Sequence, residues 1–480
     1  MRLLCFIMTL CFIASCEGQK KSENKALEER ISRIENGLQS NLRVQYGDSV
    51  NIQYFNIEDR LKELNIPGVS IAVMNNGVVE WARGYGMADT SQNKKVTTKT
   101  LFQAGSVSKP IAATRALQLV EEGQLNLDSN VNDYLRSWKV SENEFTVKEK
   151  VTLRRLLNHS AGLTVHGFPG YSIKDTIPSI IDVLDGKGNT DPVRVFRAPG
   201  EKVGYSGGGY TVMQLMVSDL EQKEFSDIMQ KNVLNPLGMT SSTYENPLPK
   251  AYHSIAAAGY KSDGSQVAGK WHTYPEMAAA GLWTTPSQLL LWAKTIQDTY
   301  QNQKDGFLKT QTVNEMLKDY GNNQGMGPYV VEDLFGHGGS DEGFVSDLRI
   351  WKAYPISVAI MVNSDNGNDI IQELFLSIAK EYNLPGIYHR LRKYNEQSKA
   401  QRARYVGAYQ FSEDAIAKVK IKDNGLEFSE GLVKNPIFLL PETDTLFFSS
   451  KSGLYFEFVF ENDLVTNLKV AGYNGQKMQE

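Results

Sequence analysis

One stretch of this chain, LFQAGSVSKPIAATRALQLVEEG at Leu101–Gly123, constrains the fold more than any other. It opens with a short apolar run, turns at Gly105, and continues as a helix whose apolar side chains cover most of its circumference. A helix that is apolar nearly all round belongs in a protein core. Pro110 suits the first turn of such a helix, and Gly123 suits its end. The pattern therefore predicts a buried helix that begins at a glycine-marked turn.

Ser106 lies where this helix is predicted to begin, and Lys109 follows on the same face. A serine hydroxyl is a weak nucleophile until a neighbouring group takes its proton. Lys109 can take that proton if it is neutral, and a helix N-terminus stabilises a developing oxyanion. The same S-x-x-K spacing occurs elsewhere in the chain, so the spacing alone is a weak signal. An N-capping serine beside a solvated lysine is the alternative interpretation.

The first residues, MRLLCFIMTLCFIASC, combine an early arginine, an apolar run and small residues near the end. This pattern is typical of a secretory signal. The final IASC resembles a bacterial lipobox, which implies cleavage before Cys16 and attachment of a lipid to it. We therefore expect an exported bacterial lipoprotein, anchored to a membrane of the cell envelope and facing the periplasm. A plain signal peptide with a chance cysteine is the alternative.

Composition excludes several other classes of partner. The net charge of the 480 residues is −4 and no block of like charge is present, so we expect no nucleic-acid partner. The six histidines are scattered, without an H-x-x-H pair or a cysteine cluster, so we expect no metal and no cofactor. His159 and His166 are interpreted as residues that organise loops.

Turn signals and changes of composition divide the chain into five segments. The third segment begins with helices and a hairpin, continues with a helical middle, and ends with further strands and a helix. This order predicts one α/β domain whose sheet collects strands from both ends of the segment. Within it, Phe335–Phe344 is predicted to be a glycine-rich turn. The segments are a signal peptide at 1–15, a polar tether at 16–27, the α/β domain at 28–385, a charged helical linker at 386–404 and a small all-β domain, closing into a barrel or sandwich, at 405–480.

Three motifs lie in order along the α/β segment: FQAGSVSKP around Ser106, Tyr205-Ser206-Gly207, and His337-Gly338-Gly339. With the flanking runs NIPGVSIAV, LLNHSAGL and AAAGLWTTPSQL, they resemble the class C β-lactamase-related serine hydrolases. That family includes D,D-peptidases, β-lactamases, carboxylesterases and D-aminopeptidases. The resemblance implies a β-lactamase/transpeptidase-like fold of α/β (α+β) class, in which an antiparallel sheet carries flanking helices and a helical subdomain.

The resemblance also implies a role for each motif. Ser106 would be the acylated nucleophile, Lys109 would share or take its proton, and Tyr205 would act as general base or proton relay. His337 would lie on the strand that flanks the substrate, where β-lactamases carry the lysine of Lys-Thr-Gly. The backbone N–H groups of Ser106 and Ser340 would form the oxyanion hole. The positions implied to contact substrate are Gly207, Gly338, Gly339 and Ser340.

Two departures from the family pattern bear on the substrate. Gly207 stands where many members have asparagine, and His337 replaces a fixed cation with an imidazole that titrates near pH 6.5 when unperturbed. Both weaken the recognition of a β-lactam or peptide carboxylate and leave acylation possible. We therefore favour a hydrolase of small esters or amides. The alternatives are a true β-lactamase, a D,D-carboxypeptidase or a D-aminopeptidase, and, in another class, a binding or sensor protein that has lost catalysis.

A different fold would assign the nucleophile to another serine. The run Gly204–Gly208 matches the G-x-S-x-G elbow of α/β-hydrolases, with Ser206 as nucleophile and His337 as base. That elbow requires a buried strand before the serine, whereas the preceding residues here are Ala198-Pro199-Gly200. The order of the other motifs also disfavours this alternative.

Overall fold

The computed structural model describes residue 22 and residues 24–50, 52–429 and 436–478 of the chain. These residues form two compact units. The first unit contains Asn56–Leu374 and Asn383–Gly386. The second contains the described residues up to Phe55, together with Phe375–Tyr382 and the chain from Ile387 onward. The predicted signal peptide and Cys16 lie outside the described residues.

An antiparallel sheet of seven strands runs through the first unit. Its strands come from both ends of the unit, because Gly68–Asn75 pairs with Ile356–Val362. Nearly every residue of these two strands is buried, so both faces of the sheet are covered and the sequence runs are continuously apolar. The predicted α/β arrangement is confirmed. The order of strands across the sheet is Tyr329–Val331, Leu334–Asp341, Phe344–Trp351, Ile356–Val362, Gly68–Asn75, Val78–Asp89 and Lys94–Lys95.

The Ser108–Glu121 helix lies in the core of this unit, as its apolar circumference predicts. Even its polar Arg115 is buried, and this side chain forms ion pairs of 2.8 Å with Glu221 and 2.7 Å with Glu122. The other α-helices from residue 57 onward are Ile57–Glu63, Leu153–Leu157, Ile180–Leu184, Gly207–Glu221, Phe225–Met229, Met277–Ala280, Pro286–Asn302, Thr310–Met316, Gly367–Tyr382 and Lys399–Ala403. Shorter elements are the 3₁₀ turns Gly105–Val107, Val131–Asp133, Glu144–Thr146 and Lys250–Tyr252, the π-helical Gln230–Leu234, and the paired strands Phe102–Gln103 and Trp283–Thr284.

The second unit contains a closed antiparallel barrel, which confirms the predicted all-β C-terminal domain. The first strand pairs with the last through Tyr409 and Lys477, so the barrel leaves no open edge. Its interior is filled by buried aromatic side chains, among them Tyr409, Phe447 and Phe458. The barrel strands are Gly407–Ser412, Ala415–Lys422, Gly425–Ser429, Ile437–Pro441, Leu446–Ser449, Tyr455–Glu461, Leu464–Val470 and Tyr473–Lys477.

The predicted helical linker at 386–404 is wrong over most of its length. Arg390–Tyr394 is a strand that pairs in parallel with Leu42–Tyr46, which in turn pairs with Ser49–Val50. Only Lys399–Ala403 is helical, and Ser398 caps it. The backbone groups of the charged run find their partners far away in the sequence, which no local charge pattern reveals.

The boundary predicted at residue 28, between the polar tether and the α/β domain, is also wrong. Residues 24–35 are helical, so this helix begins inside the predicted tether at 16–27. The amphipathic pattern of Glu28–Leu42 predicts a helix along that whole stretch, but Leu38–Gln39 is a strand that pairs with Tyr54–Phe55. The described residues before Asn56 therefore belong to the second unit. Within the described ranges, no helix is both long and apolar enough to span a membrane.

Candidate active site

Ser106 lies in the 3₁₀ turn Gly105–Val107, directly before the Ser108–Glu121 helix. Gly105 has a φ of +52°, a conformation that favours glycine. A Cβ atom at this position would also lie 2.5 Å from the backbone nitrogen of Ser340. The glycine thus lets the turn that carries Ser106 approach the neighbouring strand closely.

Lys109 lies one helical turn beyond Ser106, and only 2% of its surface is exposed. Its Nζ donates hydrogen bonds to Ser106 Oγ at 2.9 Å and to the carbonyl oxygen of Ala279 at 2.7 Å. The same nitrogen lies 5.0 Å from the ring centre of Tyr205 and 5.7 Å from that of Tyr210. The structure therefore brings three of the predicted site residues, Ser106, Lys109 and Tyr205, together around one ammonium group.

Tyr205 precedes the Gly207–Glu221 helix, whose first turn is capped by Ser206. The hydroxyl of Ser206 accepts from Gly209 N at 3.1 Å and donates to Thr164 O at 2.8 Å. Ser206 is 3% exposed, and no strand leads into it. The nucleophile-elbow alternative is therefore wrong, because this serine is a buried helix cap.

The third motif lies in the Leu334–Asp341 strand, which pairs with Phe344–Trp351. The pattern-based prediction of a glycine-rich turn over Phe335–Phe344 is wrong, since the chain turns only at residues 342–343. Glycine at position 339 allows the strand to lie close to Ala104, because a Cβ atom on Gly339 would lie 2.0 Å from the carbonyl oxygen of Ala104. The strand therefore passes directly beside the turn that carries Ser106.

His337 is buried on this strand, with its ring centre 6.1 Å from that of Tyr205. Its Nδ1 donates to the carbonyl oxygen of Gly338 at 2.5 Å. Burial, together with the charge of Lys109, lowers the pKa of His337 to about 3. The expected titration near pH 6.5 is therefore wrong, and the imidazole stays neutral through the physiological range.

Gly207 is buried at the start of its helix. A Cβ atom there would meet the Phe168 ring at 2.9 Å and the carbonyl oxygen of His166 at 3.3 Å. The ring of Phe168 thus occupies the space that an asparagine side chain would need. The Nδ1 atom of His166 donates to the carbonyl oxygen of Tyr205. His166 also lines an open polar groove of about 690 Å³, which is formed by residues 164–167 and 188–191.

A single glutamine joins the helix of the tyrosine motif to the loop that holds Lys109. Gln214 is buried, its Nε2 donates to Pro275 O, and its Oε1 accepts from Ala278 N, both at 2.9 Å. This clamp fixes the short Met277–Ala280 helix, which presents the carbonyl oxygen of Ala279 to Lys109. The motifs did not identify Gln214. Its signal in the sequence is a glutamine within the largely apolar run TVMQLMV.

Two buried carboxyl groups were also missed, one directly before the Met277–Ala280 helix and one at the end of the Leu334–Asp341 strand. Glu276 and Asp341 have no hydrogen-bond partner for their carboxyl oxygens in the part of the chain that the structure describes. Burial raises the pKa of Glu276 to about 7. Burial raises the pKa of Asp341 well above its usual range, although the Lys109 charge opposes this shift. Glu276 is detectable in sequence as the one charged residue of WHTYPEMAAAGLWTT.

No group of three or more histidine, cysteine, aspartate or glutamate side chains is placed to hold a metal ion among residues 24–50, 52–429 and 436–478. Two tryptophans of the 271–285 loop pack against each other. Trp271 and Trp283 meet edge to face at 5.2 Å, and Trp283 is completely buried. These side chains support the loop that carries Glu276 and Ala279.

Comparisons with known proteins agree with this geometry. The chain is 29% identical over 247 residues to Protein flp of Staphylococcus aureus, a match that covers 49% of this chain and 45% of the relative. It therefore spans less than half the length of that relative. Penicillin-binding protein 4 of Amycolatopsis lactamdurans is 24% identical over 343 residues, covering 66% of this chain and 86% of the relative.

Solved structures share the fold. The octameric penicillin-binding protein homologue from Pyrococcus abyssi superposes with a TM-score of 0.58 at 21% identity, covering 87% of this chain and 98% of that one. SurE superposes with a TM-score of 0.55 at 20% identity, covering 88% and 97%. The model of the Beta-lactamase family matches residues 56–381, which include all three motifs. The chain therefore belongs to the Beta-lactamase family, whose members are serine hydrolases.

Proposed function

We propose that the chain hydrolyses small neutral esters or amides through an acyl-enzyme on Ser106. The observation that carries this proposal is the 2.9 Å hydrogen bond from Lys109 Nζ to Ser106 Oγ in a buried turn. Lys109 Nζ donates hydrogen bonds to two acceptors, Ser106 Oγ and Ala279 O. We therefore assign proton removal to Tyr205, whose ring centre lies 5.0 Å from the same nitrogen.

In the proposed acylation, Ser106 Oγ attacks the carbonyl carbon of the substrate while its proton passes to the phenolate of Tyr205. The N–H groups of Ser106 and Ser340 donate to the oxyanion. The bond to the leaving group then breaks, and the leaving group takes the proton from Tyr205. In deacylation a water molecule gives its proton to Tyr205 and attacks the ester, which releases the acid and returns the proton to Ser106.

The preference for a neutral substrate follows from two positions. His337 supplies a neutral ring where a fixed cation would bind a carboxylate, and Gly207 supplies no side chain. Hydrogen bonds to a charged partner are about twice as strong as neutral ones, so an anionic substrate gains less here. We expect kcat/KM for a short-chain p-nitrophenyl ester to exceed that for nitrocefin at pH 7.5, and His337→Lys to narrow the difference.

A second candidate comes from the name of the Amycolatopsis relative. In this alternative a β-lactam acylates Ser106 and is released slowly, as in a penicillin-binding protein. The natural reaction of the chain would then be that of a D,D-carboxypeptidase or D-aminopeptidase. A binding or sensor protein without catalysis is the candidate of another class.

Intact-mass labelling separates these candidates. A fluorophosphonate should add one label to the wild type and none to Ser106→Ala. Ser377→Ala is the matched control, because Ser377 has the same spacing to Lys380 but its hydroxyl donates to Ile34 O at 2.9 Å. A stable penicillin adduct without ester turnover would favour the penicillin-binding candidate. An unlabelled wild type would contradict acyl-enzyme chemistry and favour the binding protein.

We also propose that the chain is exported and anchored through a lipid on Cys16. The support is the signal-like apolar run that ends in IASC. The wild type should fractionate with membranes, whereas Cys16→Ala should remain soluble or unprocessed. A soluble wild type with an unmodified Cys16 would contradict the proposal.

A further inference from the structure

His159 has an unusual backbone conformation close to the candidate site. It follows the Leu153–Leu157 helix, is 2% exposed, and has a φ of +60°. Residues other than glycine adopt this left-handed conformation rarely, and they keep it only where surrounding contacts hold it. The contacts of His159 show what holds it.

Both neighbours of Tyr205 donate hydrogen bonds to this one histidine. The N–H of Gly204 donates to the carbonyl oxygen of His159 at 2.8 Å. The N–H of Ser206 donates to the Nδ1 atom of His159 at 3.1 Å. In addition, the ring centres of His159 and Tyr205 lie 4.3 Å apart, with their planes inclined by 35°. His159 thus holds the backbone on both sides of Tyr205 and supports its ring.

This arrangement requires a neutral imidazole. Nδ1 accepts a hydrogen bond, so the ring proton is on Nε2, which has no partner in the described part of the chain. The groups that face the ring are Lys109 from the core helix, His337 from the strand, and Tyr205 and Tyr210 from the tyrosine segment. Burial and the charge of Lys109 lower the pKa of His159 well below its usual range. Protonation of Nδ1 would break the bond from Ser206 and add a cation facing Lys109.

We propose that His159 is the positioning residue of the reaction: it keeps Tyr205 beside Lys109 so that the phenol can exchange protons with Ser106. This inference rests on the function proposed above and extends the interpretation of His159 as a loop-organising residue. A displacement of about 1 Å at a reacting group can reduce a rate by about a hundredfold. The effect should therefore appear in kcat and leave KM for a small ester nearly unchanged.

Two substitutions separate the contacts of the imidazole. His159→Phe keeps an aromatic ring against Tyr205 but cannot accept from Ser206. His159→Asn keeps an acceptor oxygen and suits the left-handed backbone, which asparagine tolerates well. The control is His253→Phe, since the His253 ring likewise makes one hydrogen bond to the backbone, from Nε2 to Leu248 O at 2.9 Å, and packs on an aromatic ring. Each variant is compared with Tyr205→Phe in kcat and KM for a p-nitrophenyl ester, and thermal unfolding reports folding.

We expect kcat to fall about tenfold to a hundredfold in His159→Phe. The kcat should fall less than about threefold in His159→Asn and remain unchanged in His253→Phe.

If Tyr205→Phe is inactive but both folded His159 variants keep the wild-type kcat, the positioning role is refuted and the proposed function stands. Equal losses in the two His159 variants, or a change confined to KM, would also refute it. An unchanged kcat in Tyr205→Phe would overturn the assignment of Tyr205 and this inference together. If His159→Phe does not fold, a wild-type kcat in His159→Asn supports the inference and a loss of tenfold or more contradicts it.

Discussion

Replacing Glu276 with glutamine tests the electrostatics of the site through the pH dependence of stability. The carboxyl group of Glu276 is completely buried, and its oxygens have no hydrogen-bond partner among the described residues. Burial therefore disfavours the ionised form and raises the pKa to about 7 in the folded protein. A glutamine of the same size cannot ionise, so any penalty it brings is independent of pH.

The size of the effect follows from the two pKa values. The unfolded glutamate titrates near 4.5 and the folded one near 7. Because the folded pKa is raised, the stability that Glu276 contributes is fully present below pH 4.5 and is lost as the pH rises through 7. Integration of the proton linkage gives a loss of about 2–3 kcal/mol between pH 5 and pH 8. Glu276→Gln should therefore gain about that much stability relative to wild type over the same interval.

The assay is urea unfolding followed by tryptophan fluorescence at pH 5 and pH 8. All six tryptophans lie in the first unit, so the signal reports on the unit that contains Glu276. Glu245→Gln is the control, because Glu245 is exposed. If the free energy difference between Glu276→Gln and wild type is the same at both pH values, the carboxyl group is not held neutral by burial and the reasoning fails.

Three further substitutions test the packing around Ser106. Gly105→Ala should reduce fluorophosphonate labelling of Ser106 about tenfold or more, because the added methyl group would meet Ser340 N at 2.5 Å; labelling at the wild-type rate would contradict the close approach. Gln214→Leu should lower the free energy of unfolding by about 2–4 kcal/mol in urea titrations, since two buried backbone groups lose their partners; a loss below about 1 kcal/mol would contradict the clamp. Gly207→Asn should lower the melting temperature and leave nitrocefin turnover unchanged, because the Phe168 ring fills the space that the asparagine side chain needs. Adding Phe168→Ala to this variant should restore the melting temperature. A wild-type melting temperature in Gly207→Asn alone would show that Phe168 does not fill the space beside Gly207.

Local patterns were sufficient where neighbours in sequence are neighbours in space. The apolar circumference of the Ser108–Glu121 helix and the glycine before Ser106 predict the buried helix and its turn, and the structure has both. The hairpin pattern around residues 69–88 likewise predicts the Gly68–Asn75 and Val78–Asp89 strands, because a short turn brings them together. Alternation with turn signals predicts the barrel for the same reason.

Properties that depend on distant partners could not be predicted from local patterns. Arg390–Tyr394 has the charge of a solvated helix, yet it is a strand because Leu42–Tyr46 supplies its hydrogen bonds. The charge of His337 depends on burial beside Lys109, which depends on how a late strand packs against an early helix. The space beside Gly207 is filled by the ring of Phe168, whose position no motif specifies.

Burial, more than residue type, sets the charges around Ser106. His159 and His337 are neutral because desolvation and the charge of Lys109 lower the pKa of each ring. Glu276 and Asp341 hold their protons more tightly than free carboxyls because desolvation raises their pKa values. With both imidazoles neutral, Lys109 supplies positive charge beside Ser106 and Tyr205, in surroundings of low dielectric where one charge acts strongly over a few ångströms. In the proposed reaction, such a charge stabilises the oxyanion that forms beside it more than it attracts a substrate carboxylate farther along the strand. We therefore expect a substrate that arrives neutral and becomes anionic only in the transition state to react faster than an anionic one.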